Sequence, residues 1–193
     1  VLALDLVLPM LQRTQQQCDT GDRLQLLCAD AQALPLHDNS MDLIVSSLTV
    51  QWCRDVGKMF SEMHRVLRPG GRILLSTLGP QTLQELRAAW SQVDAKHLAN
   101  SFVTRAGLMN AANAAGLRGD ATTDMKMRHY QSLHALAQEL KGLGANAVAS
   151  QTQPTAVSPA AFKAASTAFA RGREANGIPV SWEIFYLQLH KPE

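Results

Sequence analysis

Three continuous apolar runs, each closing on an acid or a serine pair, constrain this chain more than any other feature: "VLALDL" closes at Asp5, "RLQLLCAD" at Asp30, and "MDLIVSSL" carries Ser46 and Ser47. Apolar runs without polar alternation suit strands covered on both faces, so they predict a parallel sheet. A helix is expected after the first. "PMLQRTQQQ" reads as a helix entered through Pro9, a position where proline is tolerated. Between Asp55 and Leu67 the apolar positions Val56, Met59, Phe60, Met63, Val66 and Leu67 follow the 3.6-residue period, and "RPGG" is expected to stop that helix. "RILLSTLG" then predicts a strand and Gln81 to Val93 a helix. Strand and helix alternate as in a doubly wound, mostly parallel α/β sheet.

Further along, "SFVTRAGLMNAANAAGL" reads as a loop into a helix, with Thr104 as cap and Gly116 as stop. "DATTDMKMRHY" predicts a strand, "SLHALAQELKGLG" a helix, "SQTQPTAVSP" a connection, "AAFKAASTAFARGRE" a helix and "VSWEIFYLQLH" a last strand rich in β-formers. No internal repeat is visible. With 193 residues the chain is expected to form one domain, residues 1–193. Apolar residues make up 46% and charged residues 18%, a globular balance. A net charge of +2, without basic runs interleaved with aromatics, argues against a nucleic-acid partner. No apolar run reaches the ~20 residues that span a bilayer, and no basic segment opens the chain, so a soluble, cytoplasmic protein is expected. Cys18, Cys28 and Cys53 lack C-x-x-C spacing, which predicts reduced thiols and neither a disulfide framework nor a metal site.

Open α/β sheets bind ligands at the carboxyl ends of their strands. Asp5 there is suited to accept hydrogen bonds from both hydroxyls of a ribose, and Asp30 to accept an adenine amino group while the Ala31 N–H reaches a ring nitrogen. Two acids closing successive strands point to a nucleoside, but do not by themselves separate a nicotinamide enzyme from other nucleoside users.

Taken together, "LALDLVLPML", "ADAQALPL", "MDLIVSSLTVQW", "HRVLRPGGRILLSTL" and "LKGLGA" resemble the class I S-adenosylmethionine-dependent methyltransferases, above all the malonyl carrier-protein methyltransferases of biotin synthesis. The acid-bearing strands and "LRPGG" are common to many methyltransferases; "VQWC" and "LKGLGA" are more particular. The resemblance implies a Rossmann-like sheet completed by a C-terminal antiparallel hairpin. It also implies a helical lid or substrate region over about 95–175. The family's first strand and Gly-rich loop would precede Val1, so an N-terminally incomplete domain is expected. That strand lies centrally in the family's sheet, between the strands of "VLALDL" and "MDLIV"; direct pairing of those two is the alternative.

By the same resemblance, Asp5, Leu6, Met10, Asp30, Ala31, Ser46, Ser47 and Leu48 are expected to hold S-adenosylmethionine. Position 47 is Ser where close relatives tend to carry Asn, which leaves the turn's backbone carbonyls to accept the cofactor's amino group. Gln51 and Trp52 would wall the space between methyl donor and acceptor. Lys141, Arg105 and Tyr130 are the implied substrate-positioning residues, with Arg128 and His129 as further cations. The implied reaction is carboxyl O-methylation of malonyl-acyl carrier protein or malonyl-CoA by a monomer. The alternatives are a related scaffold acting on a protein side chain, such as the arginine hydroxylase of complex I assembly, and a non-catalytic relative.

Overall fold

The computed structural model describes residues 1–18, 23–93, 102–142 and 158–193. In chain order these form β1 (Leu2–Asp5), α1 (Leu8–Gln17), β2 (Gln25–Cys28), β3 (Met41–Ser47), a single 3₁₀ turn (Val50–Trp52), α2 (Val56–Val66) and β4 (Leu67–Leu78). Then come α3 (Gln84–Ser91), α4 (Arg105–Ala114), β5 (Arg118–Tyr130), α5 (Leu133–Gly142), α6 (Pro159–Ala170) and β6 (Ile178–His190). The α/β alternation expected from the sequence is present.

β1 pairs with β2 in parallel, and a separate four-stranded sheet has the order β3-β4-β6-β5. β3 and β4 are parallel. β6 lies antiparallel to both neighbours: Gly70 N–H donates to Lys191 O and Gly79 N–H to Glu183 O, while Gly119 lies against Gln188 and Gly177 against Tyr130. This is the expected C-terminal hairpin. β1 and β3 do not pair with each other among the described residues, so the alternative of direct pairing does not hold. The expectation of strands covered on both faces is met on one side only. Ile73 and Leu75 of β4 are buried, whereas on the other face Leu43, Val45 (68% exposed) and Leu74 are open among the described residues.

The chain divides into two compact units. The first holds Val1–Ser76, Arg105–Ala121 and Leu187–Glu193. Here the predicted period of α2 is realised: Met59, Phe60, Met63 and Val66 are buried, and α2 packs on α4, which buries Leu108 and Ala112. Asp55 caps α2 by accepting from Lys58 N–H at 2.9 Å. The helix ends at Leu67, where the chain turns extended ahead of Pro69, so "RPGG" is not a helix stop but part of β4. The β3–β4 register shifts between Met41 and Leu43 and accommodates those residues as a bulge, with Gly70 at φ 75°.

The second unit holds Thr77–Thr104 and Thr122–Tyr186. Its core joins Leu83, Leu86 and Trp90 of the α3 region to Tyr130, Leu133, Leu136, Phe169, Ile178 and Val180. α3 starts at Gln84, not at Gln81 as expected, because Gly79–Leu83 is fastened to β6. Gln81 N–H donates to the buried Glu183 carboxylate at 2.8 Å, Leu83 N–H donates to Ser181 O at 2.8 Å, and Leu83 is left-handed at φ 58°. α6 stops at Ala170, without the "RGRE" expected to continue it, and its N-terminus is capped by Ser158. The "SQTQPTAV" part of the expected connection lies outside the described residues.

In the first unit the segment that carries Asp30 is held by one guanidinium. Arg65 donates to both Glu62 oxygens at 2.8 Å, to Asp38 at 2.7 Å, and to the carbonyls of Leu34 and Leu36 at 2.8 Å. Glu62 in turn accepts from Leu34 N–H at 2.7 Å. The Arg65 hydrogen bond, aided by the Leu34 N–H, holds the Glu62 carboxyl below its ordinary 4.5. A depressed carboxyl stabilises the fold above its unfolded-state value, and that contribution fades as pH falls through the folded value. Glu62→Gln is therefore expected to lower Tm at pH 7, with the difference from the parent shrinking steadily below pH 4.5. A Tm difference that does not change across that acid range, measured by thermal melts, would contradict this role.

Candidate functional site at the strand ends of the first unit

β1 and β2 run in register, with Asp5 opposite Cys28, and Ala29 N–H donates to Asp5 O at 3.1 Å. This brings the ends of the two strands together. Asp5 closes β1 as expected, while Asp30 stands two residues beyond the end of β2, in the turn that follows. Asp5 Oδ1 accepts from Val7 N–H at 2.8 Å and so shapes the entry to α1. Asp30 Oδ1 accepts from Gln32 N–H at 2.9 Å and from the Gln32 amide at 3.1 Å. Those bonds, the backbone one first, hold the Asp30 carboxyl below its ordinary value, helped by the charges of Lys58 and Arg54. It is a fixed, ionised acceptor near neutral pH.

The third strand end is tied to the same region. Gln32 Oε1 accepts from Asp55 N–H at 2.8 Å, linking the Asp30 turn to the chain just after Trp52. Burial, and then the Asp30 charge, push the Cys53 thiol up to about 11. At the end of β3, Ser47 Oγ meets Ser76 Oγ at 3.0 Å, Leu48 N–H donates to Ser76 O at 2.9 Å, and Leu48 takes the left-handed conformation at φ 52°. That sharp exit leads directly into the Val50–Trp52 turn. Val50 is buried, but Trp52 is 42% exposed, so its indole is not a core residue.

Asp5, Leu6, Met10, Asp30, Ala31, Ser46, Ser47, Leu48, Gln51 and Trp52 thus all belong to the first unit, together with Arg105, whose guanidinium donates to Ala121 O at 3.2 Å. Lys141 and Tyr130 belong to the second unit. Lys141 is exposed in the last turn of α5, whereas Tyr130 is only 6% exposed. Arg128 pairs with Glu139, and His129 lies 3.6 Å from Glu174. Gln32 is the residue that sequence reading passed over. Its one signal was the D-x-Q spacing, in which an Asp side chain accepts from the backbone two residues on.

Asp5 and Asp30 stand at or just beyond the ends of neighbouring strands, and Leu6, Met10, Leu48 and Trp52 of the same unit are exposed. Among the described residues no cluster of His, Cys, Asp and Glu is suited to a metal ion, and no helix is long and apolar enough to cross a membrane.

The alternating strands and helices, with a mostly parallel sheet, form the α/β fold of Rossmann-like methyltransferases. Residues 1–75 match a family model described as a methyltransferase domain. A putative methyltransferase from Bacillus halodurans shares the fold at a TM-score of 0.69 and 14% identity, over 100% of this chain and 83% of that one. The chain belongs to the malonyl-[acyl-carrier protein] O-methyltransferase family: it is 38% identical over 194 residues to the enzyme of that name from Methylococcus capsulatus, covering 98% of this chain and 70% of the relative. It is also 41% identical over 193 residues to the biotin biosynthesis bifunctional protein BioHC of Cellvibrio japonicus, covering 100% of this chain. The chain spans only 38% of that longer relative.

The raised Cys53 thiol gives a direct check on this geometry. Iodoacetamide at pH 8 is expected to alkylate the exposed Cys18 and Cys28 well before Cys53, and Asp30→Asn is expected to speed Cys53 labelling by removing a nearby negative charge. Equal labelling of all three cysteines by mass spectrometry would show that burial does not raise the Cys53 thiol, and unchanged Cys53 labelling in Asp30→Asn would show that it does not lie beside Asp30.

Proposed function

We propose that this protein transfers a methyl group from S-adenosylmethionine to the free carboxylate of a malonyl thioester, with malonyl-acyl carrier protein as the preferred substrate and malonyl-CoA as the simpler one. The observation that carries this reading is the pair Asp5 and Asp30 at neighbouring strand ends in a chain 38% identical to a malonyl-[acyl-carrier protein] O-methyltransferase. In this proposal Asp5 receives the ribose hydroxyls, and Asp30 with the Ala31 N–H receives the adenine edge. Leu6, Met10 and Leu48 flank the nucleoside, and the carbonyls of Ser46 and Ser47 accept the amino group. Gln51 and Trp52 form the wall between donor and acceptor.

The cofactor supplies an electrophilic methyl group on a sulfonium. A malonyl carboxylate is already ionised near neutral pH, so the protein needs no general base, and orientation carries the catalysis. Holding the carboxylate oxygen in line with the methyl is worth ~7–11 kcal/mol in favourable cases. Lys141, Arg105 and Tyr130 are proposed to orient the acyl group. The glycine after Lys141 in "LKGLGA" suits a close approach of backbone to ligand. We expect the enzyme to act as a monomer in the cytoplasm.

On the full-length protein, each of Asp5→Ala and Asp30→Ala is expected to weaken S-adenosylmethionine binding about ten- to a hundredfold, for ~1–3 kcal/mol per lost charged hydrogen bond. Malonyl-acyl carrier protein is expected to gain one methyl by mass spectrometry, faster than free malonate does. Parental affinity in both variants would remove the site assignment; methylation of an unrelated small molecule alone would remove the substrate.

We further propose that residues 1–193 form one methyltransferase domain in which an additional strand, bearing a Gly-rich loop, lies between β1 and β3. Supporting this are the edges of β1 and β3, which no strand pairs among the described residues. Parallel strands are ordinarily covered on both faces, and buried unpaired backbone groups cost about 1–3 kcal/mol each. A chain extended upstream is expected to melt cooperatively and to shift upward with S-adenosylmethionine, whereas residues 1–193 alone should do neither. A cooperative, cofactor-shifted melt of residues 1–193 would overturn this.

A further inference from the structure

The Gln32 amide is held in one orientation by partners of opposite character. Its Nε2 donates to Asp30 Oδ1 at 3.1 Å and to Oδ2 at 3.2 Å, while its Oε1 accepts from Asp55 N–H at 2.8 Å. A backbone N–H can only donate and an ionised carboxylate can only accept, so a flipped amide would set donor against donor and acceptor against acceptor. Gln32 also grips Asp30 through its backbone: its N–H donates to Oδ1 at 2.9 Å, in a turn that Ala33 N–H closes on Asp30 O at 2.9 Å. Asp30, Gln32 and Asp55 all lie in the first unit.

The backbone and side-chain bonds have different effects. The backbone bond holds one oxygen, but leaves the carboxylate plane room to turn, because the terminal torsion of an aspartate is broad. The side-chain amide touches both oxygens and so sets that plane. Its other end is tied to Asp55, the cap of α2, a helix seated in the core by Met59, Phe60 and Met63. Oδ1 then meets two donors and Oδ2 one. An ionised carboxylate has about four lone-pair sites, so the one that remains belongs to Oδ2. The same bonds keep the carboxyl ionised, so it has no proton to offer. Asp30 can accept one further N–H and donate nothing.

We propose that Gln32 is a positioning residue for the cofactor's base: it orients the open Oδ2 lone pair of Asp30 toward an exocyclic amino group, and so favours a 6-amino purine over a 6-oxo one. This rests on the reading of Asp5 and Asp30 as the S-adenosylmethionine site, and adds to it the residue that makes the site selective for adenine. A 6-oxo purine would set its carbonyl oxygen against the Asp30 carboxylate and its ring N–H against the Ala31 N–H. Both contacts pair like with like. A site built on hydrogen bonds rejects such an analogue more strongly than an apolar pocket does. In this role Gln32 acts through Asp30.

The test is calorimetry on the full-length parent, Gln32→Met, Asp30→Ala and the double variant, with two ligands. S-adenosylhomocysteine, the demethylated cofactor, carries the 6-amino group; S-inosylhomocysteine carries a 6-oxo group in its place. The parent is expected to bind the first about a hundredfold more tightly than the second. Gln32→Met matches the side chain in length without its amide and keeps the backbone bond to Asp30. It is expected to bind S-adenosylhomocysteine about tenfold more weakly and S-inosylhomocysteine about as the parent does, so that discrimination falls about tenfold. In the Asp30→Ala background Gln32→Met is expected to have no further effect, because its partner is gone. Equal weakening toward both ligands overturns the proposal, since Gln32 would then be serving the fold alone; so does parental affinity for both. A loss that persists undiminished in the double variant overturns it as well. A parent that binds no S-adenosylhomocysteine removes the S-adenosylmethionine reading and this proposal together, whereas a parent that binds while Gln32→Met matches it removes the proposal alone.

Discussion

The Arg65 guanidinium is the interaction on which the first unit's strand-end region depends. A short strand followed by an irregular segment has no ladder to fix the residues beyond its end, so the position of Asp30 has to be imposed from outside. Arg65 does this from within α2, with donors on two carboxylates and two backbone carbonyls of the segment it holds. A lysine would supply the charge but not the planar fork that reaches several acceptors at once. Because α2 is itself seated by Phe60, Met63 and Val66 against α4, the turn bearing Asp30 inherits the rigidity of that core. Gln32 carries the same constraint on to Asp55, and so to the cap of α2. The loop closes on the helix that holds it.

What could be read from the sequence follows what is local. The period of α2, the runs that became β1, β3 and β6, and Asp5 at the end of its strand depend on neighbours within a few residues. They appear where expected. The misplacements all have distant causes. "RPGG" looks like a helix stop because Gly is common there, but the chain turns extended earlier and the glycines serve a bulge against β3. α3 starts late because Glu183, about a hundred residues away, fastens the preceding turn. Asp30 falls beyond β2, not at its end, and its role as a fixed acceptor comes from Gln32, a residue with no apolar period to mark it.

Candidate residues show the same division. Asp5 and Asp30 could be chosen because strand ends are where α/β sheets place ligands, and Ser47 and Trp52 through the family resemblance; the fold collects all four in one unit. Choosing among Arg105, Arg128, His129 and Lys141 had no such guide, since a cation on a surface helix or strand looks alike whether it is solvated, paired or poised. The structure separates them by partner: Arg128 with Glu139, His129 near Glu174, Arg105 on a backbone carbonyl, and Lys141 exposed at the end of α5.

The electrostatics of the strand ends favour binding over proton transfer. Asp30 is kept ionised by N–H donors and nearby cations, and the Cys53 thiol is driven up by burial and by that same carboxylate. One group is held charged and the other neutral, so neither exchanges a proton readily near pH 7. His64 has its proton affinity lowered, first by burial and then by Lys191, and its ring lies against Gly116, where a Cβ would come within 3.1 Å of Nε2. That places it in the seam between α2 and the turn after α4, as a structural side chain. Fixed acceptors, a neutral thiol and a histidine spent on the fold suit a reaction whose nucleophile arrives already ionised. A carboxylate attacking an alkyl sulfonium meets that condition, because its substrate brings the charge that other transfers must generate by removing a proton.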